Sequence, residues 1–259
     1  MDTSNHIPGI YNYCDRWCER CSFTARCRLY AMELESGIDP PAQDMRNAAF
    51  WDGLKQSLVH AVELLRNLAE EQGIDLEAAM VEAAQAEQER TPPGEKYQRL
   101  SEQADEYHDK ANDWFESAGP LFESKGKDLV SHARMALPDR DPRAEADALN
   151  EAVEVIRWYA PQIVAKLGRA AESHADAVAE DEPDEFAESD ADGSAKVALI
   201  AMDRSLAAWT RLYDALPDAQ DALLDLLVAL GRLRQAAEAL FPNARSFVRP
   251  GFDESGEAN

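Results

Sequence analysis

Apolar residues recur at intervals of three and four along most of this chain. That spacing puts side chains on one face of an α-helix. The broadest stripe runs through Leu149, Ala152, Val153, Ile156, Tyr159, Ala160, Ile163, Val164 and Leu167, inside a helix expected over 143–178. Pro161 lies within it and is expected to kink it or end its first half. A second pattern, Ala48, Trp51, Leu54, Leu58, Val62, Leu65 and Leu68, predicts a helix over 43–72 that Gly73 ends. Asp75 is placed to cap a shorter helix running through Glu89. Thr91-Pro92-Pro93-Gly94 is a break. A helix over 96–117 carries Tyr107, Trp114 and Phe115; Gly119-Pro120 interrupts it, and a short helix continues to Leu137.

Two further helices are expected near the C-terminus. One covers 194–215, with Ala198, Met202, Leu206, Trp209 and Tyr213 on one face. The other covers 217–240, with Leu223, Leu226, Leu227, Leu230, Leu233 and Leu240, and Pro242 stops it. Before them, residues 180–192 are acidic with no Lys or Arg and read as a solvated or disordered loop. No alternating β pattern and no internal repeat is visible. The expectation is an all-α fold: an antiparallel helical bundle of five or six main helices over 43–241, with a small Cys-rich segment at 1–35 and a tail at 242–259. The tail carries Arg245, Phe247, Arg249 and Phe252 and is expected to dock by its aromatics.

Charge narrows the partners. The chain of 259 residues carries a formal net charge of −24. Such a surface is repelled by nucleic-acid phosphates and by anionic membranes, so a protein partner is expected instead. No apolar run approaches the roughly 20 residues that span a bilayer. The first residues lack the basic and apolar regions of a signal peptide, so the cytoplasm is the expected compartment. Thiols stay reduced there.

That compartment gives meaning to the cysteines. All four fall within 14–27, spaced C-x3-C-x2-C-x5-C as Cys14, Cys18, Cys21 and Cys27. On a helix the first three share an edge while Cys27 points away, so the chain is expected to fold back after Cys21, with Ser22 capping a second short turn. Four thiolates converging this way bind a metal. Structural zinc commonly takes two Cys pairs on either side of a longer loop. A compact run suits a 4Fe–4S cluster better, because each thiolate reaches a different iron. Tyr11, Tyr13, Trp17, Phe23 and Tyr30 are candidates for excluding water, and Arg16, Arg20, Arg26 and Arg28 for offsetting thiolate charge. Zinc remains the alternative metal.

The run Cys18-Glu19-Arg20-Cys21-Ser22-Phe23-Thr24-Ala25-Arg26-Cys27 resembles the iron–sulfur motif of the CRISPR-associated and AddB-type exonucleases. There, such a run supplies three of four ligands to a 4Fe–4S cluster; Cys14 stands where a distant upstream ligand would be. The strand-borne acidic and Lys residues of the nuclease are missing, so the resemblance implies the cluster without the activity. Cys14-x3-Cys18-x2-Cys21 is also similar to the radical-SAM triad, but Arg20 replaces the usual aromatic and no β/α barrel is expected. The segments 13–21 and 192–200 resemble an uncharacterised bacterial family of helical proteins, which implies no activity.

Other candidate sites are weaker. A di-iron site needs paired Glu-x-x-His motifs; only Asp105-x-x-His108 approaches one, while His60, His132 and His174 do not. Glu154, Arg157 and Lys166 are expected to meet Lys196, Asp203 and Arg204 in an interhelical ion network, or else to line a pocket for an anion. Glu188 to Ser194 mimics half an EF-hand loop, but Leu199 occupies the position of the bidentate Glu; Asp192 or Ser194 is expected to cap a helix instead. The sequence therefore predicts a metal-binding protein carrying one 4Fe–4S cluster for electron transfer or redox sensing, or else a helical interaction scaffold with a structural zinc site.

Overall fold

A computed structural model describes residues 5–35, 73–89, 92–135, 141–179 and 185–253, with the isolated positions 59, 62, 66 and 69. Seven α-helices and no strand occur among the described residues: α1 (Arg28–Glu35), α2 (Leu76–Glu89), α3 (Glu95–Ser117), α4 (Gly119–Met135), α5 (Pro142–Ala179), α6 (Glu185–Ala215) and α7 (Gln220–Leu240). The fold is all-α. None of these helices is long and apolar enough to cross a membrane. The chain divides into two compact units, one formed by Met1–Thr91 with Arg249–Asn259 and the other by Pro92–Val248.

In the larger unit, α5 packs against α6, α6 against α7, α7 against α3, and α3 back against α5, while α4 lies on α5. The buried positions explain the closure of this ring. In α3 they are Leu100, Ala104, Tyr107, Ala111 and Trp114; in α7 they are Leu223, Leu226, Leu230, Leu233 and Ala237. Both alternate steps of three and four, the spacing that keeps one seam facing a neighbour. Along α6 the seam is Ala191, Ala195, Ala198, Met202, Ser205, Trp209 and Leu212, and buried Leu216 continues it just past the helix end. It therefore runs through Ser205 and Leu212, where the sequence pattern suggests Leu206 and Tyr213. A seryl group seldom signals a core position, and the Ser205 hydroxyl is wholly buried. Small residues, Ala152, Ala160, Ala170 and Ala171 on α5 and Ala195, Ala198 and Ala201 on α6, are buried along the most extensive helix pairing.

Three expectations are corrected in this unit. Pro161 does not end α5, which runs unbroken for 38 residues. A proline inside a helix removes one hydrogen bond and crowds the preceding turn, which together cost about 3 kcal/mol. Burial of Ile156, Tyr159, Ile163 and Leu167 on either side contributes roughly 1.5–3 kcal/mol per large side chain and outweighs it. The acidic stretch is not a loop throughout: 185–192 is helical and forms the start of α6. Asp190 is 6% exposed and accepts hydrogen bonds from Arg169 Nε (2.9 Å), Arg169 Nη2 (2.5 Å) and the Ser173 hydroxyl (2.7 Å), all on α5. Asp192 and Ser194 consequently lie inside α6 and do not cap it.

The remaining boundaries follow local chemistry. Asp75 Oδ1 accepts the backbone N–H groups of Glu77 (3.0 Å) and Ala78 (3.1 Å), capping α2 as its position predicts. Positions 59, 62, 66 and 69 are helical, and the rest of the helix expected over 43–72 lies outside the described residues. Gly73 has a φ of +67°, and the Ile74 N–H returns to the Ala69 carbonyl at 2.8 Å. This is the left-handed glycine ending that a helix commonly uses. After α7 the chain turns at Phe241, and Lys196 Nζ donates to the carbonyls of Arg245 (3.3 Å) and Phe247 (2.5 Å).

Candidate metal centre

The cysteine segment has no α-helix over 14–21. Cys14 sits in a bend, and 15–17 have no regular structure. Arg16 has a φ of +56°, a left-handed conformation that a right-handed helix cannot contain. Asp15 supports this geometry by accepting the Trp17 N–H at 3.3 Å. The chain then forms two 3₁₀ turns. Cys18–Arg20 is closed by the Cys21 N–H bonded to the Cys18 carbonyl at 3.1 Å. Thr24–Arg26 is closed by the Cys27 N–H bonded to the Thr24 carbonyl at 3.2 Å. Both Cys21 and Cys27 thus leave a tight turn in extended backbone. The residue preceding the second turn is Phe23, with no side-chain cap, so Ser22 does not play the capping role its position suggests. The Cys27 carbonyl accepts the Ala31 N–H at 3.1 Å and so begins α1.

None of the four cysteines is in a disulfide, and all are partly exposed. Burial pushes the Cys18 thiol up to about 11; Glu33 and the neighbouring Cys14 and Cys21 add to the rise, and Arg16 opposes it. Cys18 is therefore near enough to Cys14 and Cys21 to feel their charge. Cys14 Sγ donates to the Tyr11 carbonyl at 3.5 Å, and the Phe23 N–H donates to Cys21 Sγ at 3.4 Å. Among the described residues no group of three or more His, Cys, Asp or Glu side chains is gathered tightly enough to hold a metal ion. The thiols are neighbours in part, without forming one ligand set.

Of the four arginines, Arg16 acts on the thiols. It is bound to Glu33 on α1 at 2.6 Å. Partial burial works against its charge, but Glu33, Cys14 and Cys18 prevail, so its guanidinium is held above the ordinary arginine value. Arg20 stacks on the Trp17 ring at 3.9 Å, and Arg26 reaches the Asn5 carbonyl at 3.4 Å. Of the aromatics, Tyr13 is buried while Tyr11 is exposed. Phe23 meets Phe252 edge to face at 5.1 Å, so the tail docks by an aromatic as expected. Glu33 lies 17 residues from Arg16, and no local pattern signals their pairing.

The other candidate residues form structural contacts. His108 lies 3.5 Å from Asp109 and also contacts Asn112. His174 packs on Tyr97 with ring centroids 4.4 Å apart. His60 lies outside the described residues. Around Asp203, one of the residues expected in the interhelical ion network, the partners lie on α7 and beyond it. Asp203 pairs with Arg234 (3.1 Å) and Arg245 (2.6 Å), and Arg245 also binds Glu238 (2.7 Å). Arg204 donates to the Tyr159 hydroxyl, and Arg157 lies over the Phe115 ring at 4.8 Å.

No family model, curated protein or solved structure matches this chain.

Proposed function

We propose that Cys14, Cys18, Cys21 and Cys27 bind one 4Fe–4S cluster, and that the protein works in electron transfer or redox sensing. The observation that carries this reading is that Cys18 has Cys14 and Cys21 near it, beside a cationic Arg16. Cys27 follows at the end of a second tight turn. The four thiolates come together on the metal as it loads, around the bend at 22–23. The Phe23 N–H at Cys21 Sγ supplies the kind of hydrogen bond that tunes a cluster's potential. With a thiolate on every iron no coordination site is open, which favours electron exchange over substrate chemistry. The helices of Pro92–Val248 would act as a bundle that presents the centre to a protein partner in the cytoplasm; the charge of −24 disfavours nucleic acid.

A structural zinc site within an interaction scaffold is the second reading, and one observation favours it. Between residues 5 and 34 only Ile10 and Tyr13 are buried, so the segment has little core of its own. Metal binding would then supply its folding free energy.

Purification of the full chain without oxygen, followed by metal and sulfide analysis, tests both. About four irons and four sulfides per chain with brown colour support the cluster. One zinc in a colourless sample supports the scaffold. Protein that takes up neither metal sinks both readings.

A further inference from the structure

The C-terminal piece Arg249–Asn259 belongs to the same compact unit as the cysteine segment. Its described part is a turn locked by its own residues. The backbone N–H groups of Phe252 and Asp253 both donate to the Arg249 carbonyl at 3.1 Å. The Asp253 carboxylate accepts the Arg249 backbone N–H (3.0 Å), Nε (3.0 Å) and Nη2 (2.9 Å). The Arg249 guanidinium lies over the Phe252 ring at 4.9 Å. A turn fixed at so many points presents Phe252 as a rigid knob.

That knob and its neighbour Gly251 touch both arms of the cysteine segment. Phe252 meets Phe23, two residues after Cys21, at 5.1 Å. Gly251 lies against Ile7 and Ile10; an added Cβ would come within 2.9 Å of Ile7 Cδ1 and 3.1 Å of Ile10 Cδ1. The Ile7 N–H in turn donates to the carbonyl of Arg26, the residue before Cys27, at 3.0 Å. Gly251 has a φ of +75°, which other residues adopt only with strain. The close approach and the turn therefore both require glycine.

We infer that Arg249–Asp253 is a clasp that controls access of small reagents to Cys21 and Cys27. It braces Phe23 directly and Arg26 through Ile7, so its release loosens the second 3₁₀ turn and the two thiols that flank it. Cys14 and Cys18 sit by Arg16 and Glu33, and the same release affects them less. The inference concerns the thiols whether or not a metal binds them.

The test uses the full-length chain as purified and kept reduced, with iodoacetamide as probe and peptide mass spectrometry to follow each cysteine. Phe252→Ala removes the ring-edge contact, and Gly251→Val forces Ile7 aside. In both variants Cys21 and Cys27 are expected to alkylate roughly two- to tenfold faster than in the parent, the range set by loss of one aromatic pair. Cys18 serves as the internal reference for general loosening, since Cys14 bonds to the Tyr11 carbonyl next to Ile10. A variant in which Cys21 and Cys27 are not accelerated beyond Cys18 overturns the clasp.

Discussion

The Trp209 indole N–H donates to the Tyr107 hydroxyl at 2.9 Å, joining α6 to α3 across 102 positions of sequence. Both side chains are buried. Trp114 and Phe115 close around the indole, with ring centroids 5.2 and 5.4 Å away. Trp209→Phe leaves the Tyr107 hydroxyl without its donor in a dry setting. A loss of roughly 1–3 kcal/mol is expected in denaturant unfolding. Adding Tyr107→Phe, which removes the stranded hydroxyl, is expected to recover part of it. Equal stability of Trp209→Phe and parent would show that the hydrogen bond contributes nothing.

Tyr107 also sets an alkaline limit. Burial pushes its phenol up to about 12, against smaller opposing effects of Trp209 and Ser205. The unfolded chain loses that proton near pH 10. The raised value therefore stabilises the fold fully below about pH 10, and the contribution fades as pH rises towards 12. It amounts to about 2–3 kcal/mol. Near-ultraviolet phenolate absorbance during alkaline titration is expected to show late tyrosine ionisation as the protein unfolds. Tyr107→Phe is expected to reduce the amplitude of that late phase by one tyrosine.

The sign reverses at Asp203. Burial alone would raise its carboxyl, but hydrogen bonds and charges from Arg245 and Arg234 hold it below the usual carboxylate range. Its contribution is present above the unfolded carboxylate pKa, near 4, and is lost as pH falls through the depressed folded value. The group is partly exposed, so solvent screens the effect. Asp203→Asn is expected to flatten the acid limb of a melting-temperature profile while the limb above neutrality is unchanged. An acid limb as steep as the parent's would remove Asp203 from this role.

Asp190 holds the start of α6 against α5 through Arg169 and Ser173. Asp190→Ala is expected to cost about 2 kcal/mol, the scale of hydrogen bonds to a charged group. Amide exchange should accelerate at 185–192 while the centre of α6, around Met202 to Leu212, stays protected. Uniform acceleration along α6 would argue that the helix opens as one piece.

Metal loss is expected to act locally. The unit Pro92–Val248 has its own core, including Tyr107, Ile163, Trp209 and Leu230, so a chelator is expected to leave its helical circular dichroism almost unchanged. Protease cutting between residues 5 and 35 is expected to rise several-fold on the same treatment. Cys14→Ser and Cys27→Ser are each expected to lose the metal. Full metal content in either variant would remove that residue from the ligand set.

The helices are legible in the sequence where their burial is one-sided. The seams of α3 and α7 stand out as Leu, Tyr and Trp at steps of three and four, and Asp75 and Gly73 mark their helix ends by backbone chemistry. The acidic start of α6 is not legible, because its stabilising cation, Arg169, lies 21 residues earlier on another helix. Pro161 misleads for a related reason: local propensity speaks against the helix, and burial from distant partners overrides it. At the cysteines the ligand types and their spacing can be read directly. The path between them cannot, since nothing in the sequence marks Arg16 as left-handed or Glu33 as its partner.

Position 16 combines two demands that no single side chain satisfies. Its backbone, at φ +56°, suits glycine; its place beside Glu33, Cys14 and Cys18 suits a cation. Keeping arginine there costs roughly 1–2 kcal/mol of backbone strain. Arg16→Gly would relax the main chain while stripping the thiols of their counter-charge. A variant easier to fold would then be a poorer host for anionic sulfur, separating the ease of building the loop from its chemistry.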